Sequence, residues 1–258
     1  MSENGVGRRV FLTTDIGEGF GHWRLADDEA LLGIVTSANI ACGFHAGDPD
    51  IMRGTCATAV ANGVSIGAQV SYRDLAGFGR RFIDVSRETL TNDLLYQMGA
   101  LAAFAAAAGG KVDYVRAHGA LYNVSARHRE HAAAIVEATR LFDADLPLLC
   151  QVGTETWRQA EEAGIRTVGE AFVDRAYTSD GLLLSRTHPD AMLTDPEQAA
   201  ARAVDMVFKQ QIDAVDGSPV RIEAEALLVH CDTAGAVDIA RATRRALLDA
   251  GVDLVPLR

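Results

Sequence analysis

Residues 37–49, SANIACGFHAGDP, contain the pattern on which the fold prediction depends. The apolar first half is typical of a buried strand, and a glycine-rich turn that carries His45 and Asp48 follows it. Pro49 then follows Asp48 in the order expected for an N-cap and a first helical residue. The segment therefore predicts a strand, a polar loop and a helix, and this order recurs along the chain.

The strand–loop–helix pattern repeats about seven times, with short connections between its parts. Predicted strands begin near residues 9, 37, 64, 114, 146, 166 and 226, and a short last strand spans residues 252–255. Alternating strands and helices predict an α/β fold with a mainly parallel sheet. Because the chain lacks a Rossmann glycine fingerprint and a low-complexity linker, we predict that the sheet closes into an irregular barrel and that residues 1–258 form a single domain.

The charge balance excludes several classes of partner. The 258 residues contain 24 basic and 35 acidic side chains, a formal net charge of -11. Nucleic acids and anionic membranes need clustered basic residues, so neither is an expected partner. The pair Arg8-Arg9 precedes polar residues rather than an apolar signal segment, and no apolar run approaches membrane-spanning length. We therefore expect a cytoplasmic location.

Acidic and imidazole side chains stand at the predicted strand ends. In a parallel barrel these ends converge on one mouth. The set comprises Asp15, His45, Gln69, His118, Glu170, Asp174, His230 and Asp232. Such residues suit either a divalent metal with an open position for water or metal-free general acid–base catalysis. Arg80 and Arg81, in a glycine-flanked loop, have the chemistry to clamp a carboxylate or phosphate.

Six motifs occur in an order that resembles the LamB/YcsF family. They are DIGEGFG (15–21), SANIACGFHAGDP (37–49), GFGRR (77–81), HGALYN (118–123), EAFVDRAY (170–177) and HCDT (230–233). The resemblance covers residues 14 to about 237. It implies an irregular (β/α)7-type barrel similar to polysaccharide deacetylases. It also implies ATP-dependent cleavage of 5-oxo-L-proline to L-glutamate, together with separate 5-oxoprolinase B and C subunits (PxpB and PxpC).

The strand-end pattern and the resemblance together predict the residues of the site. We predict catalytic roles for Asp15, His45, His118 and Asp48, although Asp48 is equally interpreted as a helix cap. Predicted substrate-binding residues are Asn39, Gln69, Arg80, Arg81, Arg116, Asn123, Glu170, Asp174, Arg175, His230 and Asp232. ATP is expected to act through the partner subunits, because this chain has no phosphate-binding loop of the glycine-lysine-serine/threonine type. A divalent metal, if bound, is expected at Asp15, His45 and His118.

Four departures from the family pattern indicate a divergent member. This chain has Gly17 for Asn, Gln69-Val70-Ser71 for His-Pro-Gly, Arg116-Ala117 for Lys-Pro and Cys231 for Gly. Glutamine is a poor transition-metal ligand and cannot act as a base. Three hypotheses follow: a hydrolytic subunit that opens a small lactam, a stand-alone metal-dependent amidohydrolase or deacetylase, and a non-catalytic subunit that binds a small molecule.

Overall fold

The computed structural model describes residues 8–258. The strands are β1 (Arg9–Ile16), β2 (Ser37–Ala41), β3 (Ser65–Val70), β4 (Val112–Ala117), β5 (Leu148–Cys150), β6 (Thr167–Phe172), β7 (Gln211–Asp213), β8 (Pro219–Arg221), β9 (Ala226–Val229) and β10 (Asp253–Leu254). The helices are α1 (Asp28–Leu32), α2 (Pro49–Ala61), α3 (Arg87–Ala107), α4 (Gly119–Ser125), α5 (Arg129–Phe142), α6 (Glu155–Glu162), α7 (Pro196–Phe208) and α8 (Ala236–Asp249).

Seven parallel strands form a closed ring. Strands β1 to β6 lie side by side in chain order, and β9 pairs in parallel with both β6 and β1. The closing register places Phe11 opposite Ala226 and Thr14 opposite Val229. The predicted single-domain α/β barrel is confirmed for the part of the chain that the structure describes. Residues 1–7 of the predicted domain lie outside that part.

Local sequence signals account for the helix starts. Asp48, Ser86, Thr154 and Asp195 are N-caps whose side chains accept hydrogen bonds from main-chain N–H groups in the first turn. Two features differ from the prediction. The antiparallel hairpin of β7 and β8 was not predicted, and the last strand is the two-residue β10, which pairs with the start of β1.

The apolar core has two parts. The larger part comprises buried side chains from most of the strands and helices. A smaller cluster contains Tyr114, Leu149, Val168, Ala226 and Leu257. Because side chains alternate along a strand, Tyr114 and Val168 share the inner face with Arg116 and Glu170. The smaller cluster therefore fills the barrel interior next to a polar layer.

Gly67 allows one aromatic ring to cross the barrel interior. A Cβ atom at this position would lie 2.1 Å from Cε2 of Tyr114, so the ring occupies the space of a missing side chain. Tyr114 is opposite Gly67 in the register of β3 and β4, and Asn39 is opposite Gly67 on the other side. The Tyr114 hydroxyl thereby reaches Asn39. Within residues 8–258, no helix is long and apolar enough to cross a membrane.

Candidate active site at the carboxyl end of the barrel

A buried ion-pair network lies inside the barrel at the carboxyl ends of the strands. Arg116 Nη1 is 3.1 Å from Asp15 Oδ1, and Arg116 Nε is 3.3 Å from a carboxylate oxygen of Glu170. Asn39 donates a 3.0 Å hydrogen bond to Asp15 Oδ1 and accepts a 2.8 Å hydrogen bond from the Tyr114 hydroxyl. Burial raises the pKa of Glu170, and Arg116 opposes that rise. The orientation of Asp15 is thus set by a charged donor and an amide.

A second buried cluster surrounds the side-chain amide of Gln69. Its Oε1 is 3.0 Å from His45 Nε2, and its Nε2 donates a 2.9 Å hydrogen bond to Glu18 Oε1. His118 Nδ1 is 3.2 Å from the same Glu18 oxygen, and His118 Nε2 is 3.0 Å from the main-chain oxygen of Phe78. The imidazole rings of His45 and His118 stack with centroids 4.1 Å apart. The cluster therefore joins β3 to the loops after β1, β2 and β4.

Burial controls the ionisation of the second cluster. Burial, with the nearby charge of Asp15, raises the pKa of Glu18 to about 8. Burial lowers the pKa of His45 to about 4 and the pKa of His118 well below its usual value. Both imidazoles are therefore uncharged at neutral pH, and an ionised Glu18 would need a cation close by.

Asp174 and His230 form a hydrogen-bonded pair after β6 and β9. His230 Nδ1 is 2.9 Å from Asp174 Oδ1, and the main-chain N–H of His230 donates to Asp174 Oδ2 at 3.1 Å. The Thr233 hydroxyl donates to Asp174 Oδ2 at 2.7 Å. Burial opposes ionisation of Asp174, but the contacts with His230 and Thr233 outweigh it and lower the pKa of Asp174. The imidazole stacks on Phe172, with ring centroids 5.3 Å apart.

One cavity adjoins the ion-pair network of Asp15 and Arg116, the second cluster through His118, and the Asp174–His230 pair. Its volume is about 490 Å³, and its polar lining includes Asp15, Arg80, Arg116, His118, Asn123, Gln151, Arg175, Arg186 and His230. Apolar residues of the loop after β6, including Leu182 and Leu183, line another side. Cavities of this size are typical of small-molecule sites.

Arginine side chains concentrate at this cavity although the chain as a whole is acidic. Arg80 Nη2 is 2.6 Å from Asp232 Oδ2, and Arg186 Nη2 is 3.8 Å from Asp232 Oδ1. Arg175 donates to the main-chain oxygen of Leu184 at 2.6 Å. Burial and the neighbouring Arg186 lower the pKa of Arg175 to about 10, which leaves it charged at neutral pH. Because four arginines line the cavity against one lining carboxylate, that of Asp15, the cavity suits an anionic ligand.

Comparison with known proteins places the chain in a family. Residues 10–258 match the LamB/YcsF family. The chain belongs to the LamB/YcsF family. This LamB/YcsF chain is 55% identical over 245 residues to the A subunit of 5-oxoprolinase from Mycolicibacterium gilvum (strain PYR-GCK), covering 95% of this chain and 97% of the relative.

Solved structures agree with the LamB/YcsF assignment. The lactam utilization protein from Thermus thermophilus superposes with a TM-score of 0.91 at 43% identity, over 96% of this chain and 99% of that protein. A deacetylase designated T48, solved with substrate, superposes with a TM-score of 0.51 at 15% identity, over 97% of this chain and 89% of that protein. The similarity to the T48 deacetylase concerns the fold alone, and it confirms the expected similarity of this fold to that of deacetylases.

The structure brings together most of the predicted LamB/YcsF site residues. Arg80, Arg116, Asn123, Arg175 and His230 line the cavity with Asp15 and His118. Asn39, Glu170, Asp174 and Asp232 contact lining residues, whereas Gln69 and His45 belong to the second cluster. Asn123 is an exposed residue whose side chain donates to the main-chain oxygen of Gly119.

Two predicted residues lie elsewhere. The Asp48 carboxylate accepts hydrogen bonds from the main-chain N–H groups of Gly21, Asp50 and Ile51. It is the N-cap of α2 and does not join either cluster, so the capping interpretation is the one that the geometry supports. Arg81 pairs with Asp74 and is not among the residues that line the cavity. Its contact with Asp74 explains why only the first arginine of the pair reaches the site.

Glu18 and Arg186 are site residues that the sequence analysis missed. The expected metal ligands were Asp15, His45 and His118, but Asp15 is engaged by Arg116. Glu18, His45 and His118 instead each offer one donor atom within 4.8 Å of the others. The chain turns sharply after β1 at Gly17, where φ is +68°, and the turn separates the environments of the two acids. The sequence feature that pointed to Glu18 was its position as the second acid of the motif DIGEGFG.

Proposed function

We propose that this chain is the hydrolytic subunit of an ATP-dependent 5-oxoprolinase and opens 5-oxo-L-proline to L-glutamate. The names of its relatives, an A subunit of 5-oxoprolinase and a lactam utilization protein, support a lactam substrate. The observation that carries the proposal is that Asp15 and the Asp174–His230 pair adjoin one small cavity beside several arginines. A base, an acid and an anion-binding group are the parts that hydrolysis of an acidic lactam requires.

The substrate carboxylate is assigned to the guanidinium groups of Arg80 and Arg186. Both groups line the cavity and contact the Asp232 carboxylate, and this geometry supports their assignment as carboxylate-binding groups. Arginine binds carboxylates through paired N–H donors, and such charge-assisted hydrogen bonds are stronger than neutral ones. This contact would direct the lactam ring toward Asp15 and His230.

Asp15 acts as the base in this proposal. Its contacts with Arg116 and Asn39 hold the carboxylate at the cavity. Asp15 takes a proton from a water molecule while the water oxygen bonds to the lactam carbonyl carbon. The carbon–nitrogen bond then breaks, and the lactam nitrogen receives a proton. Lactam and water together give the carboxyl and amino groups of glutamate.

His230 supplies the proton to the leaving nitrogen. Its Nδ1 donates to Asp174 in either protonation state, so Nε2 is the nitrogen that exchanges a proton with the substrate. His45 does not line the cavity, and the contact of His118 Nε2 with Phe78 engages that nitrogen. His230 is therefore assigned the role of general acid, and the predicted proton-transfer roles of His45 and His118 are not retained.

ATP is assigned to partner subunits. The sequence contains no phosphate loop of the glycine-lysine-serine/threonine type. The designation of the relatives as one lettered subunit of an enzyme supports an assembly of several chains. In this proposal, separate B and C subunits (PxpB and PxpC) transfer the terminal phosphoryl group of ATP to the lactam oxygen and release ADP. This chain then adds water to the activated carbonyl carbon, and ring opening with loss of phosphate gives glutamate.

The test is glutamate formation from 5-oxo-L-proline and ATP with purified B and C subunits. Asp15→Asn is expected to lower kcat by roughly 10³-fold. Arg186→Ala is expected to raise KM by about tenfold, because it removes a carboxylate contact, whereas the control Arg81→Ala leaves KM unchanged. No glutamate from the complete mixture, when the Mycolicibacterium gilvum relative yields it, rejects the proposal.

The same assay separates the two alternatives. Amide cleavage by this chain alone, without ATP or partners, would identify a stand-alone amidohydrolase or deacetylase. Full activity of the complex with Asp15→Asn and with His230→Ala would identify a non-catalytic subunit that binds a small molecule.

A further inference from the structure

The hydrogen bonds of His45 determine which of its nitrogens carries the proton. The Gln69 side chain directs its NH₂ group to Glu18 Oε1 and its amide oxygen to His45 Nε2. An amide oxygen only accepts hydrogen bonds. His45 Nε2 must therefore carry the hydrogen, and His45 Nδ1 carries a lone pair.

The same reasoning applies to His118. Its Nε2 is 3.0 Å from the Phe78 main-chain oxygen, which only accepts, so Nε2 carries the hydrogen. His118 Nδ1 therefore also carries a lone pair, and it lies 3.2 Å from Glu18 Oε1. The Nδ1 atoms of both histidines are buried and make no hydrogen bond within the described residues.

Electron-pair donor atoms of Glu18, His45 and His118 thus converge in one buried space, and neither of the two imidazole nitrogens there carries a hydrogen. One donor atom from each of Glu18, His45 and His118 lies within 4.8 Å of the other two. A single proton on Glu18 would satisfy only one of the two bare imidazole nitrogens. A cation with several coordination positions would satisfy all three donors, and buried polar atoms are nearly always satisfied in folded proteins.

We propose that Glu18, His45 and His118 bind a divalent first-row transition-metal ion. Two imidazoles and one carboxylate are a ligand set that suits zinc and its neighbours in the series. Donor atoms that each bind a tetrahedral zinc ion at about 2.1 Å lie roughly 3.4 Å from one another. Small side-chain rotations would bring the donor atoms of Glu18, His45 and His118 to that separation.

Gln69 has a defined role at this site. Histidine ligands of metals usually donate their second ring N–H to a carbonyl or carboxylate oxygen, which fixes the ring and its tautomer. The Gln69 amide oxygen does this for His45, and the Phe78 main-chain oxygen does it for His118. Gln69, interpreted from the sequence as a lost ligand, is instead the residue that orients a ligand and, through its NH₂ group, the carboxylate of Glu18.

The experiment measures metal binding directly. Untagged protein is stripped with a chelator and titrated calorimetrically with Zn²⁺, and one equivalent per chain is expected. Glu18→Gln, His45→Ala and His118→Ala are each expected to weaken binding by at least roughly 100-fold. His131→Gln is the matched control, because His131 is another buried histidine whose Nδ1 is bonded to the Tyr72 hydroxyl. This control is expected to bind as the unmodified chain does.

Gln69→Leu distinguishes a positioning residue from a ligand. It is expected to keep one equivalent of Zn²⁺ with affinity about 10- to 100-fold lower. Because histidine substitutions can impair folding, circular dichroism accompanies each titration, and the near-isosteric Glu18→Gln alone suffices to decide. Absence of a Zn²⁺ site in the unmodified chain, or a site that Glu18→Gln leaves intact, overturns the proposal. Metal binding without lactam turnover would support this site and count against the proposed function alone.

Discussion

Asp15 and Glu18 are three residues apart in one glycine-rich motif, but their surroundings are opposite. Asp15 faces the Arg116 guanidinium, whereas Glu18 faces Gln69, His118 and the thiol of Cys231, which donates to Glu18 Oε2 at 3.1 Å. An acid held by a guanidinium at the cavity is placed to act as a base, while a buried acid beside neutral imidazoles suits a cation. Residue type alone therefore does not define either role.

The first prediction at the residue scale concerns Asp174. If Asp174 positions His230, Asp174→Asn should lower kcat by roughly 10²- to 10⁴-fold with little change in KM, because general acid catalysis contributes about that much. The measurement is steady-state glutamate formation in the complete system, with its pH profile.

Thr233→Val is the control for this prediction. It removes one hydrogen bond to Asp174 but leaves the contact between Asp174 and His230. We expect less than a tenfold effect on kcat. If Asp174→Asn has the kcat of the unmodified chain and the same dependence of kcat on pH, the positioning role of Asp174 is refuted.

The second prediction concerns the pH dependence of stability at Asp28. Burial raises the pKa of Asp28 from 3.8 to about 6. The folded state therefore binds this proton more tightly than the unfolded state, and the free energy of unfolding falls as pH rises from about 4 to about 6. Asp28→Asn removes this cost and can still accept from Gly17. It should raise the free energy of unfolding by about 1–3 kcal/mol at pH 7.5, with no gain near pH 4.

Urea unfolding at the two pH values checks the Asp28 prediction. Asp50→Asn is the control, because it makes the same substitution at an exposed residue in the first turn of α2. An equal effect of Asp28→Asn at pH 4 and pH 7.5 would contradict the linkage argument.

At the scale of elements, the site depends on how closely adjacent strands can pack. Strands β2, β3 and β4 place Asn39, Gly67 and Tyr114 side by side, and the Tyr114 ring lies over the glycine. The hydroxyl at the end of that ring bonds to Asn39, which in turn donates to Asp15. A glycine in the middle of a buried strand thus positions the proposed base through two intervening side chains.

Gly67→Ala should therefore affect both stability and catalysis. The new Cβ would overlap the Tyr114 ring, and overpacking of this kind costs about 1–3 kcal/mol. Displacement of the ring should also weaken the Tyr114–Asn39 contact and lower kcat. Thermal unfolding and glutamate formation measure the two effects.

Gly54→Ala is the matched control for Gly67→Ala. Gly54 lies in α2, and a Cβ there would meet no atom within 4 Å. Alanine is the better helix former by about 1 kcal/mol, so this variant should be as stable as the unmodified chain or more so. Similar losses for both variants would refute the packing argument.

At the scale of the whole molecule, the candidate site and the inner apolar cluster occupy different parts of the barrel. The carboxyl end holds the ionisable network and the cavity. The inner apolar cluster includes Leu257, which is fully buried, and the main-chain N–H of Leu257 donates to the Ser37 hydroxyl at 3.0 Å. Chain segments from residue 37 and residue 257 are thereby joined, and the apolar cluster supports the layer that carries the site.

Leu257→Ala should lower the free energy of unfolding by about 2–4 kcal/mol, as expected for a buried leucine. Leu248→Ala is the control, because Leu248 on α8 is 47% exposed, and its effect should stay within about 0.5 kcal/mol. Denaturant unfolding of both variants checks this prediction. Equal effects would show that the inner cluster contributes little to stability.

The sequence predicted the barrel well because its strands are buried apolar runs and its helices begin at recognisable caps such as Asp48 and Ser86. The hairpin of β7 and β8 was missed because these three-residue strands are largely exposed and carry little apolar pattern. The motif DIGEGFG marked Glu18 as a candidate acid, but its contacts could not be predicted from the sequence. Its partners Gln69 and Cys231 are 51 and 213 residues away in the chain, and local patterns contain no information on such contacts.

The position of β9 in the ring has a consequence for synthesis of the protein. Strands β1 and β6 each lack a neighbour until β9 has left the ribosome, and a long loop, α7 and the hairpin are translated before it. At about 5–20 residues per second, the nascent chain has two open sheet edges for several seconds. Translational pauses ahead of residue 226 should therefore favour aggregation, and chaperones that shield strand edges should matter most in that interval.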